Sequence, residues 1–272
     1  MNSGNLSGKV GLVFGIASHR SIAWGVAQAW ASQGADLVLS YQDERIYTNV
    51  EKLAEQLRND FGVKVLLFQC DVSSDEQITS FYASVREHFD HVDLLLHSLA
   101  YAPREALDEG FTKTSRSAFY TALNISVYSL VALTREALPL MPAGSSVLAM
   151  TFLGSQKVIP HYNVMGVAKA SLESSVQYLA ADLGPRGIRV NALSAGPMQT
   201  LSARGIADFS IMHKFHQEHS PLQRNCTLEE LGQTALFLTS DAASAITGQV
   251  IYADSGYSIM GMPELYTPNA AS

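Results

Sequence analysis

Cysteine is almost missing from this chain. Cys70 and Cys226 are the only two, too few for a disulfide framework and not at metal-ligand spacing. No His/Cys/carboxylate constellation stands elsewhere, so no metal is expected. Charge is also scarce: charged residues make up 16% of the 272 positions, against about 25% in an ordinary soluble chain. What charge there is leans acidic, with a formal net of −7, which argues against nucleic acid, whose phosphates demand clustered Lys and Arg. Met1–Lys9 has no apolar signal region and no run reaches the ~20 residues that span a bilayer. A soluble, cytoplasmic protein without a membrane partner is therefore expected. Pro/Gly/Ser-rich linkers, internal repeats and low-complexity runs are absent as well, so residues 1–272 read as a single domain. No Gly-x-Ser-x-Gly elbow points to a hydrolase. Hydrophobic residues, at 47%, are ample for a large core. The thin charge implies that some surface is buried between subunits of a homo-oligomer.

Short apolar runs alternate with longer segments of helical period. Strands are predicted over Val10–Phe14, Asp36–Tyr41, Lys64–Cys70, Asp93–Ser98, Ser145–Phe152, Arg189–Ser194 and Gln249–Ala253. Most are continuous rather than alternating, as parallel strands covered on both faces require. Helices are predicted over 21–33, 44–61, 75–89, 116–138, 163–183 and 228–239. Ser73-Ser74-Asp75-Glu76 and Thr227-Leu228-Glu229-Glu230 read as capping boxes, and Gly62 and Gly184-Pro185 as helix stops. The repeated β-then-α order gives an α/β fold, a Rossmann-type doubly wound parallel sheet of about seven strands. Residues 195–225 break the pattern and read as a substrate-binding lid. Its apolar residues Met198, Leu201, Ile206, Phe209, Ile211, Met212 and Phe215 are candidates to line a pocket; a helical excursion packed on the core is the alternative.

The first strand runs into Gly15-Ile16-Ala17-Ser18-His19-Arg20-Ser21-Ile22, where a dinucleotide fold places its pyrophosphate. Glycine there admits the phosphates, and the helix start supplies N–H groups and positive potential. The Gly-x-Gly-x-x-Gly fingerprint is absent, so a plain turn stays open. Ser21 is a candidate phosphate donor and Gly25 a candidate for close helix–sheet packing. The second strand ends at Gln42-Asp43. A neutral or acidic tip suits the free ribose 2′-hydroxyl of NADH, whereas NADPH needs a cation; nearby Arg45 blurs the distinction, and NADH is favoured over NADPH. Asp71-Val72 and Ser98-Leu99-Ala100 follow the third and fourth strands, where adenine and the middle of the cofactor would lie. His97 reads as a satisfied core histidine.

Tyr162 and Lys169 are seven residues apart, about two helical turns or ~10.5 Å of rise, on one face. A lysine leaning back toward a phenol would stabilise phenolate and lower the Tyr pKa, making a better proton donor.

The segment Tyr162-Asn163-Val164-Met165-Gly166-Val167-Ala168-Lys169-Ala170-Ser171-Leu172-Glu173 closely resembles the active-site helix of the enoyl-acyl-carrier-protein reductases, a divergent branch of the short-chain dehydrogenase/reductases. Gly15-x5-Ser21-Ile22-Ala23-x-Gly25, Cys70-Asp71-Val72, His97-Ser98-Leu99-Ala100 and Asn191-Ala192-Leu193-Ser194-Ala195-Gly196-Pro197 share in the resemblance, which runs from about Leu6 to Ile259. Most short-chain dehydrogenases place three residues between Tyr and Lys; position 166 is Gly, so only the longer spacing fits. The resemblance implies NADH-dependent reduction of trans-2-enoyl thioesters on an acyl carrier protein, or on CoA, in fatty acid biosynthesis. It implies Tyr162 and Lys169 as the catalytic pair. Cofactor contacts are implied at Gly15, Ser21, Ile22, Gln42, Asp71, Val72, Ser98, Leu99, Ala100, Lys169, Met198 and Thr200, and substrate contacts at Ala102, Phe152, Tyr162, Leu201 and Phe209. A homotetramer is implied too.

The chain departs from the family at Phe152, where members often carry a second Tyr ten residues before the first, and this puts oxyanion stabilisation on Tyr162 and the cofactor ribose. Asn124 sits where relatives use a polar residue to relay protons. The lid helix, read as 207–219, carries Lys214, His213, His216 and His219, with Arg204 upstream. Acidic carrier docking is expected to tighten as those histidines charge; a solvated face is the bland reading. A carbonyl or alcohol dehydrogenase and a non-catalytic nicotinamide sensor are the competing functions. The first normally has the shorter Tyr–Lys spacing, and the second typically loses one of the pair.

Overall fold

The computed structural model describes residues 5–201, 203 and 208–262. Ile206, Arg204 and Ala207, named above, lie outside the described residues. All seven predicted strands form, with ends moved by at most one residue: β1 Val10–Phe14, β2 Asp36–Tyr41, β3 Val65–Gln69, β4 Leu94–His97, β5 Ser146–Phe152, β6 Arg189–Ala195 and β7 Val250–Ala253. They make one parallel sheet in the order β3-β2-β1-β4-β5-β6-β7. The strand order reverses between β1 and β4, so the loops after these two strands open a crevice at the carboxyl edge, where ligands bind in doubly wound sheets.

Helices cover both faces. On one, α1 (Ile22–Ser32), α2 (Glu44–Phe61) and α9 (Leu228–Thr239) are packed over a core that includes Trp30, Leu37, Leu39 and Leu96. On the other, α3 (Asp75–Arg86), α5 (Arg116–Leu123), α6 (Ser129–Ala137) and α7 (Asn163–Leu183) bury Leu12, Phe81, Leu130 and Leu172. Short α4 (Glu105–Asp108) follows β4, and α8 (Phe209–His219) lies in the segment read as a lid.

Helix ends follow local chemistry. Asp43 caps α2 by accepting from the Arg45 N–H at 2.9 Å, and Gly62, at φ 69°, ends it in the left-handed conformation. Thr227 and Glu230 form the full reciprocal box at α9. The box expected at Ser73–Glu76 is not there: Ser74 is the cap and accepts from Gln77 N–H, while the Gln77 side chain reaches back to Asp71 N–H at 2.9 Å. Gly184 caps the end of α7, as expected, and opens a short 3-10 turn that closes at Gly187, φ 73°, in the left-handed position.

Two other expectations are corrected. The helix predicted over 116–138 is interrupted by a π-helical segment, Asn124–Tyr128. With α5 and α6 it makes a 22-residue apolar stretch, Arg116–Ala137, long enough to cross a bilayer by length and composition, a length the sequence reading denied to every segment. Here it packs against α3 and α7. Gly25 serves helix–helix and not helix–sheet packing. A Cβ on Gly25 would strike the Leu228 carbonyl, and one on Gly232 the Gly25 carbonyl, so α1 and α9 touch backbone to backbone. Trp30 Nε1 donates to Thr239 Oγ1 at 3.0 Å across the same pair. Gly25→Ala is therefore expected to cost about 1–3 kcal/mol through overpacking, read as a lowered urea midpoint with an unchanged slope.

Candidate active site

The cradle after β1 is built by backbone. Gly15 has φ 108°, a conformation closed to residues with a Cβ, and a Cβ there would strike the Ser98 carbonyl after β4. Ser21 precedes α1, but its Oγ accepts from Ala17 N–H at 3.0 Å and Ser18 N–H at 3.1 Å. The oxygen thus shapes the loop as an acceptor, and the hydroxyl keeps its own proton to donate. It does not cap α1, and the first-turn N–H groups, beginning with Ile22, keep their capacity for an anion.

At the tip of β2, Gln42 Nε2 donates to Asp71 Oδ2 at 3.3 Å. Asp43 holds Arg45, whose Nε lies 3.0 Å from Oδ2. The one cation that blurred the cofactor assignment is therefore already paired. Asp71 also accepts from Ser73 N–H and Oγ, which with Gln42 hold its carboxyl below the ordinary value against its partial burial. Val72 is buried in the core under α3. Ser98 N–H donates to the Phe14 carbonyl, Leu99 packs on the core and Ala100 is exposed.

Tyr162 sits just before α7, and its neighbours His161 (φ 62°) and Asn163 (φ 40°) are both left-handed. Asn163 tolerates this region better than most residues. Its Nδ2 donates to the Glu109 carbonyl at 2.7 Å and to the Leu107 carbonyl at 3.2 Å, clamping the segment that follows Ala102 to the start of α7. The Tyr162 ring meets Phe152 edge to face, centroids 5.1 Å apart. Behind it lie Gly154, whose Cβ would fall into the Tyr162 ring, and Gly166, whose Cβ would come 2.7 Å from the Gly154 carbonyl.

Lys169 is buried two turns along, and its Nζ donates to the Met150 carbonyl at 2.7 Å. Desolvation pushes it down to about 8, partly opposed by Glu173. The Tyr162 phenol is pushed up, first by desolvation and then by Glu173. This corrects the expectation of a lowered Tyr pKa. The ammonium is turned onto a carbonyl, and burial of the ring dominates. His97 corrects another: Nε2 meets Ser129 Oγ at 2.8 Å, but Nδ1 is buried with no partner among the described residues. Burial and Lys169 push its pKa down to about 3, so it is neutral. Asn124 opens the π-helical segment, a local distortion common at functional sites.

A small cavity opens beside Phe152, the residue packed on Tyr162, and is lined by Phe152, Leu153, Ile159, Met212 and Phe215 among others, with buried His216 and Asp254 at its polar end. Of the predicted lid residues, Met212 and Phe215 line it, while half-exposed Leu201 and Phe209 do not, nor does Ala102. Met198 meets Cys226 Sγ at 3.7 Å, and Thr200 Oγ1 accepts from Ala203 N–H at 3.1 Å. Of the histidines expected to form a face on the lid helix, only His216 is turned inward. His216 is buried and meets Asn225 Oδ1 at 2.8 Å, and desolvation pushes both His213 and His216 down. His219 and Lys214 remain at the surface of the same helix, so the cationic face is narrower than expected.

Gly154, Asn163, Thr151 and Glu173 carried no signal as parts of the site. The only hint was Gly166, a helix-interior glycine, which implies a packing reason.

A family model described as enoyl-(acyl carrier protein) reductase matches residues 15–258. The enoyl-acyl-carrier-protein reductase (NADH) FabI of Bacillus cereus is 47% identical over 94% of this chain and 99% of its own. That of a Nostoc species is 48% identical over 95% and 99%. Among solved structures, the Aquifex aeolicus enoyl-acyl-carrier-protein reductase (NADH) superposes with a TM-score of 0.90 at 44% identity, covering 94% of this chain and 99% of that one. The Anaplasma phagocytophilum enzyme, solved in complex with NAD, gives 0.91 at 42% identity over 97% and 100%. With near-complete coverage at this identity, and with the cradle and the Tyr162–Lys169 helix on one edge of the sheet, the chain belongs to the enoyl-acyl-carrier-protein reductase family.

Proposed function

We propose that this chain reduces trans-2-enoyl thioesters on acyl carrier protein to the saturated acyl thioesters, with NADH as reductant, in fatty acid biosynthesis. The observation that carries the reading is that Tyr162 and Lys169 are both buried along one helix that follows β5, with Tyr162 packed on Phe152, which lines a largely apolar cavity, and with Gly15 ending β1 at the same carboxyl edge of the sheet. The residues present fit a dinucleotide: a glycine whose Cβ would block the crevice, an uncapped helix start for the pyrophosphate, and an acidic β2 tip for a free ribose hydroxyl.

When bound, NADH would supply a hydride to the β-carbon of the enoyl chain, and a proton from solvent would complete the α-carbon of the resulting enolate. Tyr162 donates a hydrogen bond to the thioester oxygen, which gains negative charge as the enolate forms. A bond that strengthens with that charge favours the transition state over bound substrate. Its raised pKa keeps the phenol a donor throughout neutral pH. Lys169 spends one of its three donors on Met150 and keeps two for the nicotinamide ribose. Phe152, edge-on to Tyr162, packs the ring and excludes water without offering a second donor. Gly15, the α1 start at Ile22, Gln42, Asp71 and Ser98 bind the rest of the cofactor. The whole chain acts as one domain joining both sites, with acyl carrier protein as partner, in the cytoplasm. A homotetramer is supported by the exposed aromatic residues Tyr120 and Tyr178 on α5 and α7, and sedimentation equilibrium tests it.

The deciding experiment follows NADH absorbance with crotonyl thioester and then with ketones. Thioester-dependent oxidation is expected; oxidation only with ketones, or NADH binding without turnover on either, refutes the reading. The same assay tests the β2 tip. Asp43→Ala frees Arg45 and is expected to lower KM for NADPH about tenfold relative to NADH, the scale of one charge-assisted bond. An unchanged ratio would show that Arg45 does not reach the ribose.

A further inference from the structure

The polar groups behind Tyr162 continue into the sheet. Thr151 on β5, Ser194 on β6 and Tyr252 on β7 are paired in register, Thr151 with Ser194 and Ser194 with Tyr252. Their alternate neighbours Ala149, Ala192 and Val250 pack into the core under α7, so the row faces that helix. Above it lies Glu173, one turn beyond Lys169. Glu173 is 7% exposed and Lys169 5%. Thr151 Oγ1 donates to Glu173 Oε1 at 2.7 Å. Ser194 Oγ is buried without a partner among the described residues, and so is the Tyr252 hydroxyl, which has no well-formed bond although the Gln156 side chain is close.

A carboxylate in such a place is costly to desolvate unless a cation compensates it. Residues four apart on a helix are neighbours, which makes Lys169 the compensating cation. The two charges are anchored separately, Lys169 on the Met150 carbonyl and Glu173 on Thr151, and they interact through the low-dielectric interior, where the field carries further than in water.

We propose that Glu173 is a positioning residue for the reduction: its anchored carboxylate holds Lys169 as the ammonium that orients the nicotinamide ribose. Burial drives Lys169 down and Glu173 opposes that fall, the balance standing at about 8. The other titratable groups near the pair do not supply this charge. Tyr162, just before α7, and Tyr252 on β7 have raised pKa values and stay neutral, and His97 on β4 is neutral too. Asp254, past β7, already accepts from Gly256 N–H and Ser258 N–H. On the segments packed against α7, Glu105, Asp108, Arg116, Arg135, Glu136 and Arg186 are all at least partly exposed.

The inference rests on the proposed reductase reading, and the test separates the two. The NADH dissociation constant and kcat/KM for crotonyl thioester are measured from pH 6.5 to 10 in wild type, Glu173→Gln, Glu173→Asp and Thr151→Val. Lysine is charged below its pKa, so binding and rate fall as pH rises through about 8 in the wild type. Glu173→Gln keeps the shape and the Thr151 bond but removes the charge, and both limbs are expected to move down by about one to two pH units. Glu173→Asp restores them, which a merely structural role would not require. Thr151→Val frees the carboxylate and shifts the limbs the same way by less. Superimposable profiles in Glu173→Gln and Thr151→Val overturn the proposal, and Thr151→Val alone decides it if the Gln variant does not fold. Absence of NADH binding in the wild type would instead remove the reductase reading.

Discussion

Tyr162→Phe lowers kcat by about 10²–10³, or about 2.7–4 kcal/mol, the loss seen when an oxyanion donor is removed, and leaves the NADH dissociation constant unchanged. The ring stays because its packing is apolar: Phe152 edge-on, Gly154 behind, Met165 and Val164 beneath in the same core. Only the hydroxyl is lost, and its worth lies in a bond that strengthens as the thioester oxygen gains charge, so kcat falls more than KM rises. Phe152 makes the effect large, since no phenol stands beside Tyr162 to take over the donation. The hydroxyl makes no hydrogen bond among the described residues, so it is uncommitted before substrate arrives. Steady-state kinetics with crotonyl thioester, paired with fluorescence titration of NADH, measure the two quantities separately. A variant with kcat within about threefold of wild type would move oxyanion stabilisation to another group.

The Phe variant also separates two pH effects. The raised phenol pKa places Tyr162 ionisation above the working range, so the basic limb near 8 belongs to Lys169 and persists in the residual activity of Tyr162→Phe. Its disappearance would assign that limb to the phenol.

The sheet was legible because parallel strands buried on both faces leave continuous apolar runs, and all seven were found on that pattern. The limits of α2, the end of α7 and the start of α9 were legible where Asp43 and Gly62, Gly184, and Thr227 write their chemistry locally. The break at Asn124–Tyr128 was not. A π-turn changes the hydrogen-bond ladder by one residue and leaves the apolar period of 116–138 nearly intact. Tyr162 and Lys169 were legible because spacing along one helix is a sequence property. Their environment was not. The direction of each pKa shift depends on burial and on Met150, whose carbonyl comes from a strand. The row Thr151, Ser194, Tyr252 exists only once the register of three strands is known. His216 and Asp254 meet at the cavity from segments almost forty residues apart, a meeting that no local pattern announces.

Gly154 was silent for the same reason, and it carries the second large prediction. Gly154→Ala is expected to lower kcat about a hundredfold with a smaller change in NADH affinity. An added Cβ would fall among the ring atoms of Tyr162, and it would also stand 3.3 Å from Phe152 Cδ1, so it has no open side to turn toward. The backbone has little room to withdraw, because Gly154 lies directly over Gly166 of α7. The movable object is the phenol, and a misplacement of about 1 Å at a reacting group costs roughly 10² in rate. Overpacking should also remove about 1–3 kcal/mol of stability, so thermal unfolding is followed alongside activity. Gly110→Ala is the matched control: its φ is −64° and no atom lies within 4 Å of the added Cβ, so activity and stability should both stay near wild type. If Gly154→Ala keeps wild-type kcat while folding normally, Tyr162 is not held from behind, and the Asn163 clamp alone must fix the phenol.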